Sequence, residues 1–300
     1  MKLIIDTDPG VDDAMALFWA HAAPEIDLIG LTTVFGNVRV DQATRNALVL
    51  CDVMGLDIPV AEGAGQPLVL PPFPPSAYVH GDEGFGDMPA MTPTRAKDPR
   101  DAVTYLTETV CAHPGEIVVA PIGPLTNIAA AIQADPEFAG NVKQIVIMGG
   151  GLKGGNITPH AEANFYHDPH AAHFVMTCGA PIIMVGLDIT EEVTCVPADF
   201  AAMAAASPKH GQMLQDMSHF YLRFYAEYGL EGCGLHDPAA IIAITHPELF
   251  EMKRTGVSVV CEGDEIGRSV PSDEPTVDVA VGGDAAAIKA LFMDRIGTLP

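Results

Sequence analysis

The chain is poor in positive charge. Its 300 residues hold 15 Lys and Arg against 39 Asp and Glu, a formal net charge of −24 with histidine neutral. Phosphate backbones and anionic bilayers are gripped by clustered Lys and Arg, so this composition argues against nucleic acid and membrane surfaces as partners. Small neutral ligands and metal cations remain. Long apolar runs are also missing: none approaches the roughly 18 uninterrupted residues of a membrane span. There is no Cys-x-x-Cys pair among Cys51, Cys111, Cys178, Cys195, Cys233 and Cys261. Thiols so scattered predict reduced cysteines, not a disulfide framework or a zinc knot. Tryptophan occurs once, as Trp19 in an apolar helical pattern, and is expected in the core. Met1-Lys2-Leu3-Ile4-Ile5-Asp6 reaches an acidic residue too early for a signal peptide, so a cytoplasmic location is expected. Linkers, repeats and low-complexity tails are absent, which predicts one domain over residues 1–300.

What is present is an alternation of short apolar runs and helical patterns. Leu3-Ile4-Ile5, Ile26 to Phe35, Ile117 to Ala120, Ile145 to Met148 and Ile182 to Val185 read as strands. Ala14 to His21, Asp41 to Met54 and Leu125 to Ala134 read as helices between them. Near-continuous apolar strands separated by helices predict an α/β fold: a mostly parallel central sheet with helices on both faces, Rossmann-like in layout. Ligands in such sheets bind beyond the carboxyl ends of the strands. Two stretches break the alternation. Residues 62–100 carry Pro71-Pro72-Phe73-Pro74-Pro75 and a glycine-rich run from His80 to Gly86, and residues 198–235 end in Gly229 to Gly234. Lid segments are expected near 71–92 and 220–236.

The sharpest local feature is Asp6-Thr7-Asp8-Pro9-Gly10-Val11-Asp12-Asp13-Ala14, directly after the first strand. Two like charges about 4 Å apart repel by ~4 kcal/mol at a near-surface dielectric. Four carboxylates in eight positions therefore call for a cation or for raised pKa values. Oxygen donors without cysteine or histidine select a hard ion, Ca²⁺ or Mg²⁺. The bland alternative is that Asp12 and Asp13 only complement a helix N-terminus. An EF-hand does not fit, because the alternation of acids and the closing glutamate are missing.

This turn resembles the N-terminal signature of the nucleoside hydrolases, the inosine-uridine preferring ribohydrolase family. Further segments resemble the family pattern in the same order. They are Phe35-Gly36-Asn37, Pro121-Ile122-Gly123-Pro124-Leu125-Thr126-Asn127, Met148-Gly149-Gly150-Gly151, Gly155 to Pro159 with Ala161 to Asn164, and His236-Asp237-Pro238. The resemblance covers essentially the whole chain. It implies cleavage of the N-glycosidic bond of ribonucleosides, with Ca²⁺ held by Asp8, Asp13, the Ile122 carbonyl and Asp237. It implies Asp8 as general base, Asp6 behind it, Asp12 and Asn37 on ribose hydroxyls, and Asn156, Glu162 and Asn164 on the rest of the sugar, with Met148 beside it. His236 is implied as the acid for the leaving base. His80 and Tyr228, with Phe224 or Tyr225, are the expected base contacts. A homodimer or homotetramer is implied as well.

Local grammar leaves some of this open. His236-Asp237-Pro238 and His167-Asp168-Pro169 both read as an Asp cap followed by proline at a helix start. Only the family pattern makes Asp237 the ligand and Asp168 a cap. His167, His170 and His173 have helical spacing, but zinc is not expected there. With one tryptophan, a purine-specific base clamp is not expected; a base-nonspecific or pyrimidine-preferring enzyme is. Two rivals differ in class. One is a non-catalytic, calcium-dependent nucleoside-binding protein of the same fold. The other is an Asp-based phosphatase, for which only Lys153 offers a nearby cation. A dinucleotide-binding role fails because no helix is expected after Gly149 to Gly154.

Overall fold

The computed structural model describes residues 1–300. Strand β1 (Lys2–Thr7) leads into helix α1 (Val11–Ala22), then β2 (Asp27–Thr33), α2 (Val40–Met54) and β3 (Val60–Glu62). A long excursion holds α3 (Ala77–His80) and leads to α4 (Ala102–Ala112), β4 (Ile117–Pro121) and α5 (Thr126–Ala134). Next come α6 (Phe138–Asn141), β5 (Gln144–Met148), α7 (Ala163–His167), α8 (Pro169–Met176), β6 (Ile182–Val185) and α9 (Leu187–Thr190). The last third contains β7 (Thr194–Cys195), α10 (Pro197–Ala206), α11 (His210–Glu227), β8 (Cys233–Gly234), α12 (His236–Thr245), β9 (Phe250–Val259), β10 (Ser269–Gly283) and α13 (Ala285–Gly297).

Eight strands form one sheet in the order β3-β2-β1-β4-β5-β6-β10-β9. Every pairing is parallel except β10 with β9. The expected parallel sheet with helices on both faces is therefore present. The antiparallel hairpin at its far edge was not foreseen, because polar residues of Ser272 to Thr276 interrupt the apolar pattern of β10. Residues Leu3 to Thr7 of β1 are buried throughout, as a strand covered on both faces must be. Two apolar clusters, one per face, flank the sheet; Trp19 lies fully buried in the larger, and β4, α5 and α8 supply much of the smaller.

The strand order turns outward in both directions from β1. Chain connections run from β1 to β2 on one side, and β4 joins β1 on the other. A crevice opens at such a switch point because the two neighbouring connections leave in opposite directions. The carboxyl ends of β1, β2, β4 and β5 deliver Asp8, Asn37, Ile122 and Met148 to this crevice, all within four residues of their strand ends.

Candidate active site

A cavity of about 620 Å³ sits above these strand ends. Eleven of the expected side chains or carbonyls line it: Asp12, Asn37, His80, Ile122, Met148, Asn156, Glu162, Asn164, Tyr228, His236 and Asp237. Asp8 and Asp13 lie beneath the lining, both fully buried and tied to it through Asn37.

The floor is carboxylate. Oxygens of Asp12, Asp13 and Asp237 lie within 4.8 Å of one another. This trio differs from the expected Asp8, Asp13 and Asp237. Asp8 falls outside this group; its Oδ2 accepts the Asn37 N–H at 2.7 Å, and its Oδ1 has no partner. The glycines explain how Asp8 fits. A Cβ on Gly36 would stand 2.1 Å from Asp8 Oδ2, and one on Gly123 would stand 2.5 Å from Oδ1. Both motif glycines leave room for one carboxylate.

Asp13 is the most constrained member. Its Oδ1 accepts Thr7 Oγ1 and the Asp8 N–H, and its Oδ2 accepts the Gly10 N–H at 2.9 Å and Asn37 Nδ2 at 3.0 Å. Asp12 Oδ2 accepts the Tyr221 hydroxyl at 3.2 Å, and its Oδ1 has no hydrogen-bond partner. Asp6 stands one strand position below. Its Oδ1 accepts Thr32 Oγ1 at 2.5 Å and Asn127 Nδ2 at 2.7 Å. Asn127 also bonds the Thr33 carbonyl and the Ala64 N–H, so it ties β1, β2 and the segment after β3 together.

Asp237 corrects one local expectation. Helix α12 starts at His236 with Leu235 at its cap, so Asp237 falls inside the first turn and does not cap the helix. Its carboxylate is left to face the cavity. Asp168, by contrast, caps α8 through the Ala171 N–H at 3.0 Å. It also accepts Thr126 Oγ1 at 2.7 Å and the Leu68 N–H at 2.9 Å, which joins three segments of the frame.

Burial drives the electrostatics. Desolvation pushes Asp8 and Asp237 well above the usual carboxylate range and raises Asp12 and Asp13, with mutual repulsion adding at Asp8, Asp13 and Asp237. Burial also carries Asp6 up to about 7. A folded chain does not gather such groups at no cost. Two unpartnered buried oxygens, a converging carboxylate trio and an all-oxygen donor set fit a hard divalent cation.

One wall suits a sugar. Asn164 Nδ2 donates to the Ile122 carbonyl at 2.9 Å and the Met148 carbonyl at 3.1 Å. Glu162 caps α7: its oxygens accept the N–H groups of Asn164, Gly150 and Phe165, and burial raises it to about 7. Asn156 Oδ1 accepts the Ala163 N–H at 3.0 Å. These bonds make residues 156–164 a cross-braced wall.

The opposite wall is aromatic. His236 Nδ1 meets Thr190 Oγ1 at 2.8 Å, and its Nε2 meets the Tyr225 hydroxyl at 2.9 Å. Tyr225 reaches Tyr221 at 3.3 Å, and Tyr221 reaches Asp12. A chain of hydroxyls therefore joins the histidine to the acidic floor. Burial lowers His236 and takes His80 down to about 4. His80 Nδ1 accepts the Val11 N–H at 3.2 Å, and its ring lies 5.3 Å from that of Tyr221. Phe224 packs between Tyr78 and Tyr228, and Tyr228 itself is 71% exposed at the rim. Phe220, Phe224 and Tyr228 share helical spacing, but only Phe224 and Tyr228 line the cavity. Sequence reading gave no role to Thr190, Tyr221 or Asn127. Asn127 stood inside the Pro121-to-Asn127 motif, and Tyr221 lay one helical turn before Tyr225.

The profile of the "Inosine-uridine preferring nucleoside hydrolase" family matches residues 3–290. The chain is 44% identical over 272 residues to "Uridine nucleosidase 1" of Arabidopsis thaliana, covering 90% of this chain and 81% of that protein. The solved structure "Plant nucleoside hydrolase - PpNRh1 enzyme" superposes with a TM-score of 0.96 at 39% identity, covering 99% of each chain. The "Purine-Preferring Ribonucleoside Hydrolase from Gardnerella vaginalis" superposes at 0.95 with 36% identity, covering 99% of this chain and 98% of that one. No helix of the chain is long and apolar enough to cross a membrane. The ordered motifs, the switch-point cavity and these matches together make the chain an enzyme of the inosine-uridine preferring nucleoside hydrolase family.

Proposed function

We propose that this enzyme hydrolyses the N-glycosidic bond of ribonucleosides to ribose and free base, with Ca²⁺ as its cofactor. The observation that carries the reading is the division of one cavity into a carboxylate floor and an aromatic wall, with no Lys or Arg among its lining residues. Asp8, Asp13, Asp237 and the Ile122 carbonyl would hold the ion, with Asp12 alongside. When bound, the ion would orient and acidify a water and grip the sugar hydroxyls.

The remaining work falls to side chains. Asp8 takes the water's proton on its free Oδ1 as the oxygen closes on the anomeric carbon. Asp12 and Asn37 hold ribose hydroxyls; Asn156, Glu162 and Asn164 fix the rest of the sugar, with Met148 packed against it. The sugar passes through an oxocarbenium-like state, which the surrounding carboxylates stabilise. His236 protonates the departing base, and its hydroxyl chain through Tyr225 and Tyr221 can resupply the proton. His80 and Tyr228 border the base. The segments 71–92 and 220–236 act as lids that exclude water.

A broad or pyrimidine-preferring enzyme suits the base end. Its aromatics are tyrosines, a phenylalanine and histidines, while Trp19 is locked in the core. The likeness to a protein named uridine nucleosidase supports the same preference. The test is reducing-sugar release from uridine, cytidine, inosine and adenosine with calcium present. Cleavage of ribonucleosides and slow cleavage of 2′-deoxyribonucleosides is expected. Silence with every ribonucleoside would favour a nucleoside-binding role, and orthophosphate release from nucleotides would favour a phosphatase.

A further inference from the structure

Two of the six thiols face each other. Strands β7 and β8 pair antiparallel, with Thr194 opposite Gly234 and Cys195 opposite Cys233. Both cysteines are free and fully buried. Directly opposed residues of an antiparallel pair have Cα atoms about 4.5–5.5 Å apart, and their side chains share one face. A disulfide spans roughly 4.4–6.8 Å between Cα atoms, so the register brings this pair within bonding reach. The Cys233 thiol turns across the ladder: its Sγ donates to the Cys195 carbonyl oxygen at 3.7 Å.

The pair is built into the base end of the cavity. Thr194 and Val196 flank Cys195, Gly232 and Gly234 flank Cys233, and all four line the cavity. His236 lies just beyond Cys233 in the chain, and its hydroxyl partner Thr190 lies just before β7. Packing around β8 leaves no slack. A Cβ on Gly232 would stand 2.5 Å from the Cys195 carbonyl oxygen, and one on Gly234 would stand 2.8 Å from Cε1 and Nε2 of His236. Strand β8 is wedged between the β7 backbone and the His236 ring, so a shift of Cys233 is passed to that ring.

We propose that Cys195 and Cys233 form a redox modification site: a peroxide joins them in a reversible disulfide that misplaces His236. The pairing stands on the strand ladder; its effect on turnover rests on the hydrolytic reading above. One sulfur, giving up its proton, attacks a peroxide oxygen; the O–O bond breaks, leaving a sulfenic acid and one water. The second sulfur, giving up its proton, attacks the first; the S–O bond breaks and a second water leaves. Two thiols and one hydrogen peroxide give one disulfide and two waters, with two electrons passing from sulfur to oxygen. Closing the bond brings the Cβ atoms to about 3.8 Å, from the roughly 4.5–5.5 Å of opposed strand residues. The strands draw together by about 1 Å, a displacement that costs rate at a reacting centre. Burial pushes the Cys195 thiol up to about 12 and the Cys233 thiol well above its usual range, with Cys195 adding to the rise at Cys233. Buried protonated thiols are poor nucleophiles, so the pair reacts as the exposed rim at 228–231 opens.

The experiment treats reduced wild type with hydrogen peroxide and maps cysteine pairs by mass spectrometry of unreduced peptides. Ribose release from uridine, with calcium present, is measured before and after dithiothreitol. Cys195→Ala and Cys233→Ala, run separately, are the controls; neither thiol lines the cavity. A linked peptide pair carrying Cys195 and Cys233, lighter by two hydrogens, is expected. Uridine turnover should fall about tenfold as the link forms and return with dithiothreitol, while neither variant shows a reversible loss. Methionine sulfoxide is restored by its own reductases and not by this thiol, so recovery isolates the cysteine effect. Absence of the Cys195–Cys233 link would overturn the inference. So would the link with unchanged turnover, or an equal reversible loss in both variants. No ribose release from the reduced wild type with any ribonucleoside would overturn the hydrolytic reading, and the peptide map would then uphold or overturn the pairing by itself.

Discussion

The two ends of the cavity are built differently. At the sugar end, backbone anchors much of the polar set: two of the four hydrogen bonds that Asp13 accepts come from backbone N–H groups, Glu162 accepts three backbone N–H groups, and Asn164 spans two carbonyls. At the base end, groups are held by each other, hydroxyl to imidazole and ring to ring, and the rim is exposed. A backbone-held group cannot move without disturbing strand ends, so the sugar end is preorganised for one charge distribution. A ring on an exposed helix end can shift rotamer, which supports the broad base preference proposed above.

Substitutions should separate the two ends by size of effect. Asp8→Asn keeps the shape of the floor but removes the proton acceptor. Turnover is expected to fall about 10³-fold, with far-UV circular dichroism and melting temperature near those of the wild type. Near-normal turnover would remove Asp8 from the base role. His236→Ala should cost about 10²-fold in kcat for uridine and less for nucleosides with better leaving groups. A uniform small loss across substrates would contradict its role as acid.

Smaller effects sharpen the contrast. Gly36→Ala places a methyl against Asp8 Oδ2, and Gly36 has a φ of +154° that alanine resists. It should displace Asp8 and lower kcat by about tenfold or more, since small misplacements at a reacting centre are costly. An unchanged kcat would show that Asp8 has slack. Tyr225→Phe removes the hydroxyl on His236 Nε2 and should lower kcat by about tenfold, the worth of one hydrogen bond. At the exposed rim, Tyr228→Ala should raise KM by about threefold and leave kcat unchanged, as a largely exposed contact that binds without reacting would. A drop in kcat instead would place Tyr228 in the reacting geometry.

The same contrast governs how much could be read from the sequence. The floor was legible because strand-end carboxylates, motif glycines and the paired asparagines sit at fixed offsets from β1, β2 and β4. Their geometry is a local consequence of the chain. The parallel sheet was legible for the same reason, in runs such as Ile117 to Ala120. The hydroxyl chain was not. Thr190, Tyr221, Tyr225 and His236 come from three elements, and only tertiary packing brings them together. Asp237 shows the limit most plainly. Its Asp-Pro grammar matched that of Asp168, yet a helix start two residues earlier turned one carboxylate toward the cavity while the other capped its helix. The polar insertion in β10 hid the antiparallel edge because solvent-facing strand residues carry no apolar signal.

The central claim is that buried carboxylates from separate strand ends converge on one divalent ion. The most direct measurement is calorimetric titration of chelator-treated protein with CaCl₂, wild type beside Asp237→Asn. The account predicts one site per chain in the wild type, proton release on binding and a large loss of affinity in the variant. Absence of binding in the wild type, or equal affinity in both proteins, would contradict it.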